Sequence, residues 1–573
     1  MKRTKKPILS LILLSGLLPL LLHSQVHPVR NPDTGHNQTH ATNPHWQPAI
    51  SNGVDTAWIR RYNGPGNDVD RASAVAVDGA GNVYVTGASY GSGTFVDYAT
   101  IKYNSAGVEQ WVRRYNGPAN FSDRAFALAV DGSGNVYVTG WSAGTAYDYA
   151  TIKYNSAGET LWIRRYNGPG DSIDGAYALA VDGSGNVYVT GRSMGIGANY
   201  DYATIKYNSA GTEQWIRRYD GPLFSTDFAY AIAVDGSGNV YVTGGSDGAG
   251  TGSDYTTIKY NTVGETLWVR RYSGPVNPAD DYAYAIVLDA SSNVYVTGGS
   301  YSSTFYDYAT VKYDSAGVEQ WVSRYNGPGN DYDEAQAIAV DGSGNVYVTG
   351  SSAGAGTFLD YATIKHNPVG ETLWVRRYNG PGNSADEAWA LAVDGSNNVY
   401  VTGRSVGSGS GYDYATIKNN SAGAVQWVAR YNGPGNADDE AYALAVDGSN
   451  NVYVTGGSND LSASYDYLTI KYVQTGGIEE ESSGAMSNEQ RAMSLRILQN
   501  PAKSVIRCQV LGVRGREATL SVYDVAGKLV QSFAIGSMPH TPCSIALRFE
   551  AGVYFVRLRS GARSQTTKVL LID

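Results

Sequence analysis

One unit is written eight times along this chain, and the copies set almost every constraint on its fold. A tryptophan recurs at Trp58, Trp111, Trp162, Trp215, Trp268, Trp321, Trp374 and Trp427, 53 residues apart except for one interval of 51. Between tryptophans the text runs WVRRYNGPGN, then AxALAVDGSGNVYVTG, then DYATIKYNSAGE, with few changes. A fixed period near 50 residues describes a stack or ring of supersecondary units, none of which buries its apolar face alone. The copies also sort the residues. A side chain present in every copy holds the unit together, and one that differs between copies is free for another task.

Each unit contains four strand-like runs. In the second copy these are 125–130, 135–139, 148–154 and 159–166, rich in β-branched and aromatic residues. The separators Asp131-Gly132-Ser133-Gly134 and Asn155-Ser156-Ala157-Gly158 supply turn residues that tolerate positive φ. Four antiparallel strands per unit make a propeller blade. In the first run Ala125, Ala127 and Ala129 alternate with Phe126, Leu128 and Val130. A small face and a large face let sheets crowd near an axis, so this strand is predicted innermost. Trp58 precedes the first such strand, and nothing bearing tryptophan follows Tyr472. If the tryptophan strand is outermost, Val54 to Tyr62 must complete the blade begun at Ala441, leaving no open edge. The prediction is an all-β, eight-bladed propeller over residues 54–473. Its units resemble the β-propeller repeat family of secreted bacterial proteins, which carries the same AVDGSGNVYVTG core. That resemblance implies a propeller and no particular activity.

The ends speak of export. Lys2, Arg3, Lys5 and Lys6 precede an apolar run from Ile8 to Leu22, and Leu22-His23-Ser24 offers a cleavage site, so residues 1–24 read as a signal peptide. With Pro19 inside, the run of about 15 residues is short for a membrane span of roughly 20. Residues 25–53, rich in Pro, Asn, Thr and His, read as a disordered leader. Residues 474–493 are an acidic, Gly/Ser-containing linker, and 494–573 alternate apolar runs with turns, as a small Ig-like β-sandwich does. Within that stretch Asn500-Pro501, the segment around Tyr523 and Gly527, the segment around Gly552 and Tyr554, and Lys568 with the residues after it resemble the C-terminal sorting domain of the type IX (Por) secretion system. Gln499 departs from the aromatic residue usual before Asn-Pro. The resemblance implies a Bacteroidota-type bacterium, handling by the type IX machinery, and a product released or attached at the outer surface. Cys508 and Cys543, the two cysteines, both lie here. A bridge between them would close a loop of about 35 residues, worth roughly 3–4 kcal/mol; two separate thiols are the equal alternative.

No catalytic constellation, phosphate loop or metalloprotease motif is present, and no cofactor or metal is expected. His366, the one propeller histidine, stands where the tyrosine of IKY is normally found, and reads as a neutral replacement. Asp131, Ser133 and Asn135 have the spacing of calcium-loop ligands but lack the closing acidic residue, so turn capping is the expectation. Asp70, Asp123, Asp174, Asp227, Asp281, Asp333, Asp386 and Asp439 precede the inner strands. They form either a ring of carboxylates at one mouth or internal acceptors for their own loops. The next residue varies: Arg71, Arg124, Gly175, Phe228, Tyr282, Glu334, Glu387, Glu440. So does the residue after NVYVTG, with Trp141, Arg192 and Arg404 among its occupants. These variable positions are expected on loops of one electrically lopsided face. The candidate binding residues are Arg71, Arg124, Trp141, Arg192, Tyr282, Glu334, Glu387, Arg404 and Glu440.

The formal charge of −9 argues against nucleic acid. The reading is a monomeric, non-catalytic secreted or surface protein that binds a glycan or protein, without a membrane-spanning segment. The alternatives are a carbohydrate lyase or hydrolase using the acidic sector, with Glu334 beside Asp386 or Glu387 as its carboxylate pair, and a coat spacer without ligand.

Overall fold

The computed structural model describes residues 53–197, 199–223, 225–459 and 464–474, together with 494–497, 502–503, 505–511, 518–524, 528–535, 543–548, 552–560 and 563–572. The proposed signal peptide, the leader up to residue 52, most of the linker, and Asn500, Pro501 and Gly527 of the sorting motif lie outside these residues. The chain divides into two units, 1–477 and 478–573.

In the first unit the repeat forms eight four-stranded antiparallel sheets, all β. Blade one is typical, with strands Asp70–Val77, Val83–Tyr90, Val96–Tyr103 and Glu109–Tyr115 hydrogen-bonded in that order from the axis outward. Blade eight draws Asp439–Val446, Val452–Asn459 and Tyr465–Gln474 from the end of the repeat and its outer strand, Val54–Tyr62, from the beginning. That strand pairs from Val54 opposite Gln474 to Tyr62 opposite Tyr467. The ring is therefore an eight-bladed propeller, closed by one N-terminal and three C-terminal strands.

The invariant side chains knit each blade to the next. Trp58 donates its indole N–H to the Ser105 carbonyl at 3.2 Å, and its ring lies between Tyr453 and Tyr103, 6.1 and 6.0 Å away. Gly107 must be glycine, since its φ is +77° and a Cβ there would strike the Trp58 ring. In the six copies that have it, the first arginine of RRY reaches across too, Arg113 donating to the Gly158 carbonyl at 2.6 Å, while Ser323 and Ala429 stand in its place in the other two. Tyr98 donates to the Ala150 carbonyl one blade on, and Tyr467 closes the circle by donating to Ala99 at 3.2 Å. His366 occupies a tyrosine place in this scheme, 6.0 Å from Trp321, and burial pushes it down to about 4, so it is neutral near pH 7.

One feature departs from simple alternation. In every inner strand the register shifts across one residue, between Ala72 and Ala74 in blade one and between Ala125 and Ala127 in blade two. The bulge turns Ser73, Phe126, Tyr177, Tyr230, Tyr284, Gln336, Trp389 and Tyr442 out of the alternating series. The expected grouping of Phe126 with Leu128 and Val130 is thus broken by the bulge.

The second unit has a three-stranded sheet, Ser494–Ile497, Val505–Leu511 and Cys543–Arg548, and a five-stranded sheet that includes Ala518–Asp524 and Gly552–Ser560. Leu520 and Val522 are buried, and Arg557 lies over the Tyr523 ring at 5.0 Å. Cys508 stands opposite Ile545 and Cys543 opposite Val510, a two-residue offset on paired strands.

Candidate functional site

Below the mouth the axial channel is apolar, lined by the alanine and the aliphatic residue after it, Ala74 and Val75 through Ala443 and Leu444. Above them six of the eight bulge residues are aromatic and form two arcs, interrupted by Ser73 in blade one and Gln336 in blade six. Phe126, Tyr177, Tyr230 and Tyr284 run from blade two to blade five with ring centroids 5.8, 6.4 and 5.6 Å apart, and Trp389 stacks on Tyr442 at 5.1 Å and 13°. All are buried. Sequence reasoning missed this layer, although the signal was there: the fourth residue of the inner strand varies between copies as the second does.

Of the two arrangements open to the eight aspartates, the structure has the internal one, with each carboxylate accepting from its own loop. Asp70, Asp123 and their counterparts are fully buried and accept their own loop amides. Asp123, for example, takes the Gly117 N–H at 2.7 Å and the Ala143 N–H at 2.9 Å. Burial holds these carboxyls above their usual range, against the pull of those donors. The turn aspartates behave oppositely. Asp131 is partly buried, but the Asn135 side chain and amide, the Tyr137 hydroxyl and the Ser133 amide outweigh that and hold it low. Its oxygens are committed to the turn.

The variable positions lie within strands and not in loops, because the second strand runs on to Tyr90 and its equivalents. The two variable series also face each other. Arg124 stands opposite Trp141, Gly175 opposite Arg192, Tyr282 opposite Gly299 and Glu387 opposite Arg404. They form one ring of paired side chains at the mouth.

Its charges are matched across blades in one sector. Arg404 donates to Glu387 at 2.8 Å and to Glu440 of the next blade at 2.6 Å, while stacking over Trp389 and Tyr412. Burial works against the Arg404 charge, and the two glutamates outweigh it. Glu440 also meets Arg71 at 3.4 Å and accepts from Tyr442, and Arg71 covers the Tyr465 ring. Glu334 is buried and accepts from Tyr284 at 2.7 Å, Gln336 at 2.9 Å and Tyr332. Burial raises its carboxyl in spite of those donors. The expected contrast of a basic and an acidic sector is thereby corrected, because Arg71 belongs to the glutamate network.

Arg124 and Arg192 have no carboxylate partner among the described residues. Burial and the like charge of Arg71 lower Arg124. Arg192 packs among Tyr200, Phe228 and Tyr177, 4.6 to 5.8 Å from the ring centres, with its buried Nε unbonded. Trp141, beside Phe126 and Tyr147, has a buried indole N–H that is also unbonded. Tyr282 lies 6.4 Å from Tyr284 and continues the aromatic surface.

The repeat is matched by a family model. The beta-propeller repeat model matches residues 57–93, 110–148, 161–197, 214–250, 320–356 and 426–461. The secretion system C-terminal sorting domain model matches 497–572. An uncharacterized WD repeat-containing protein of Acanthamoeba polyphaga mimivirus is 22% identical over 454 residues, 62% of this chain. The chain spans 31% of that relative's length. Among solved structures, a fungal alcohol oxidase of the AA5 family in complex with copper aligns over 78% of this chain and 96% of its own, at 13% identity and a TM-score of 0.35. A gluconolactonase-like protein aligns over 52% and 89%, at 12% identity and 0.27. The propeller assignment rests on strand pairing and ring closure, not on these likenesses. No helix of the described residues is long and apolar enough to cross a membrane. Six segments of the ring thus match the beta-propeller repeat model, and the sorting domain over 497–572 indicates secretion by the type IX route to the cell surface or the extracellular space.

Proposed function

We propose that this exported propeller is a non-catalytic binder that takes an acidic glycan at the mouth of its ring. One observation carries the reading: of the four arginines there, Arg71 and Arg404 are neutralised by glutamate, while Arg124 and Arg192 have no carboxylate partner among the described residues. A guanidinium beside aromatic faces is the pairing that recognises a carboxylate or sulfate carried on a sugar ring. Half-buried Trp141, Tyr147 and Tyr200 supply those faces. The glutamates support binding over catalysis, since Glu387 and Glu440 are engaged by Arg404, and Glu334 by three neutral donors.

The test titrates the full chain with a polyuronate, a sulfated polysaccharide and a neutral glucan, while assaying for cleavage products. Binding to the acidic polymers that falls with salt, and falls again in Arg124→Ala/Arg192→Ala, is expected. Equal binding of the neutral glucan, or depolymerisation of any of the three, overturns the reading.

A further inference from the structure

Half of the mouth is one connected row of side chains. Arg124 and Trp141 stand opposite each other in blade two, so their side chains share a face as close neighbours. Trp141 then leans into blade three, where a Cβ on Gly175 would lie 3.5 Å from its ring. Gly175 is the cross-strand partner of Arg192. The Arg192 guanidinium lies 4.6 Å from the centre of the Tyr200 ring and 5.3 Å from that of Phe228 in blade four. Phe228 in turn faces Gly245, and a Cβ there would strike the Tyr282 ring of blade five. Two glycines thus stand where a neighbouring blade's ring crosses over. Arg124, Trp141, Arg192, Phe228 and Tyr282 are all half-buried.

Beyond the row the attraction for an anion stops. After Tyr282 comes Gly299, and Glu334 lies over it, its Cγ 3.1 Å from where a Cβ would be. The charges of Asp280 and Asp247 act on Tyr282 as well. At the other end Arg71 is neutralised by Glu440. Within the row the order is guanidinium, indole, guanidinium, then two further rings. That order matches a chain in which an acid group, a sugar ring and a second acid group follow one another. A pyranose offers a C–H face to the indole, and each guanidinium offers paired N–H donors to a carboxylate or sulfate.

On the acidic-glycan reading proposed above, we infer that this row seats three or more consecutive sugars of a linear chain, with acid groups on Arg124 and Arg192 and the sugar between them stacked on Trp141. Each contact alone is weak. Once one sugar is held, its neighbour binds as part of the same molecule, and affinity multiplies with chain length until the row is full. A single acidic sugar or a chain end meets only one arginine and gains none of this.

Oligomers of a polyuronate and of a sulfated polysaccharide, of two, four and six sugars, are titrated calorimetrically against the full chain and three variants. Trp141→Ser installs the residue found at Ser351, and Arg192→Gly the one found at Gly245, Gly299 and Gly457. Phe358→Ser alters an exposed ring of blade six outside the row. At least one series should gain roughly tenfold or more in affinity from two sugars to four, and little from four to six. Trp141→Ser and Arg192→Gly, each checked by melting, should lose most of that gain. Trp141→Ser should keep the salt dependence of the binding that remains, since both arginines are in place. Phe358→Ser should behave like wild type. Equal affinity for two and six sugars, polymers bound while no oligomer is, a folded row variant with the wild-type length profile, or an equal loss in Phe358→Ser overturns the seat and leaves acidic-glycan binding standing. No binding of either series or of the parent polymers overturns both.

Discussion

Asp439 holds a charge in an unfavourable place. It is fully buried, and burial pushes it up to about 7 although Ser458 and Gly433 donate to it. In the unfolded chain an aspartate titrates near 3.9. Between pH 4 and 7 the folded state therefore binds the proton more tightly. Its stabilising contribution is complete below about pH 4 and is lost as pH rises through 7. Asp227 acts in the same direction, pushed up to about 6. The low-lying turn aspartates such as Asp131 act oppositely, weakening the fold only in acid. Asp439→Asn should remove the slope of one site, because its Oδ1 partner is a hydroxyl able to reverse its bond. The melting temperature of the variant relative to wild type should climb from pH 4 to pH 7 and then level. A constant difference would show that Asp439 titrates normally.

Arg71 gives a second prediction at this scale, and it separates what sequence can show from what it cannot. Variation at Arg71 is plain in the repeats, but Glu440 lies 369 residues away and meets it only through ring closure. Arg71→Glu, apparently a harmless surface reversal, should place like charges together and cost about 2 kcal/mol or more in chemical denaturation. Arg124→Glu, which breaks no ion pair, should cost less. The constant residues were legible as scaffold, and their bonds confirm it. Which variable arginines are neutralised was not legible, because Glu440, which meets both Arg71 and Arg404, sits one blade along from each.

Among the elements, the inner strand pair depends on a close approach. A Cβ on Gly87 would collide with the Arg71 carbonyl, and Gly191 meets the Gly175 carbonyl in the same way. These glycines sit beside the bulge of the inner strand. Gly191→Ala should cost at least about 1–3 kcal/mol, measured as a fall in denaturation midpoint. Deleting Val54–Tyr62 should cost far more, since it exposes the edge Tyr465–Gln474 and removes Trp58 from between Tyr453 and Tyr103. A deletion variant that melts like its parent would contradict the closure seen here. Blade number and closure were readable from the tryptophan positions, and strand number and order from the four runs of each unit. The bulge was not, because a single inserted residue leaves the alternating text unchanged and shifts only the partner strand.

At the scale of the whole molecule, fold and export are carried by different parts of the chain. Every described strand of the propeller pairs within its own ring, and no sheet contains strands from both units. The described strands of the ring form contacts with neighbours repeated around a closed circle, the source of stability expected of such a repeat. The sorting match, residues 497–572, lies wholly within the other unit. A chain stopped at residue 477 should therefore fold, melt within a degree or two of the parent propeller transition, and accumulate in the periplasm. Fusing residues 478–573 to an unrelated periplasmic carrier should carry that protein across the outer membrane. The two halves make the argument strict. Truncated protein at normal levels outside the cell would remove the export role from the tail, and a truncated propeller that unfolds would show that the ring depends on it.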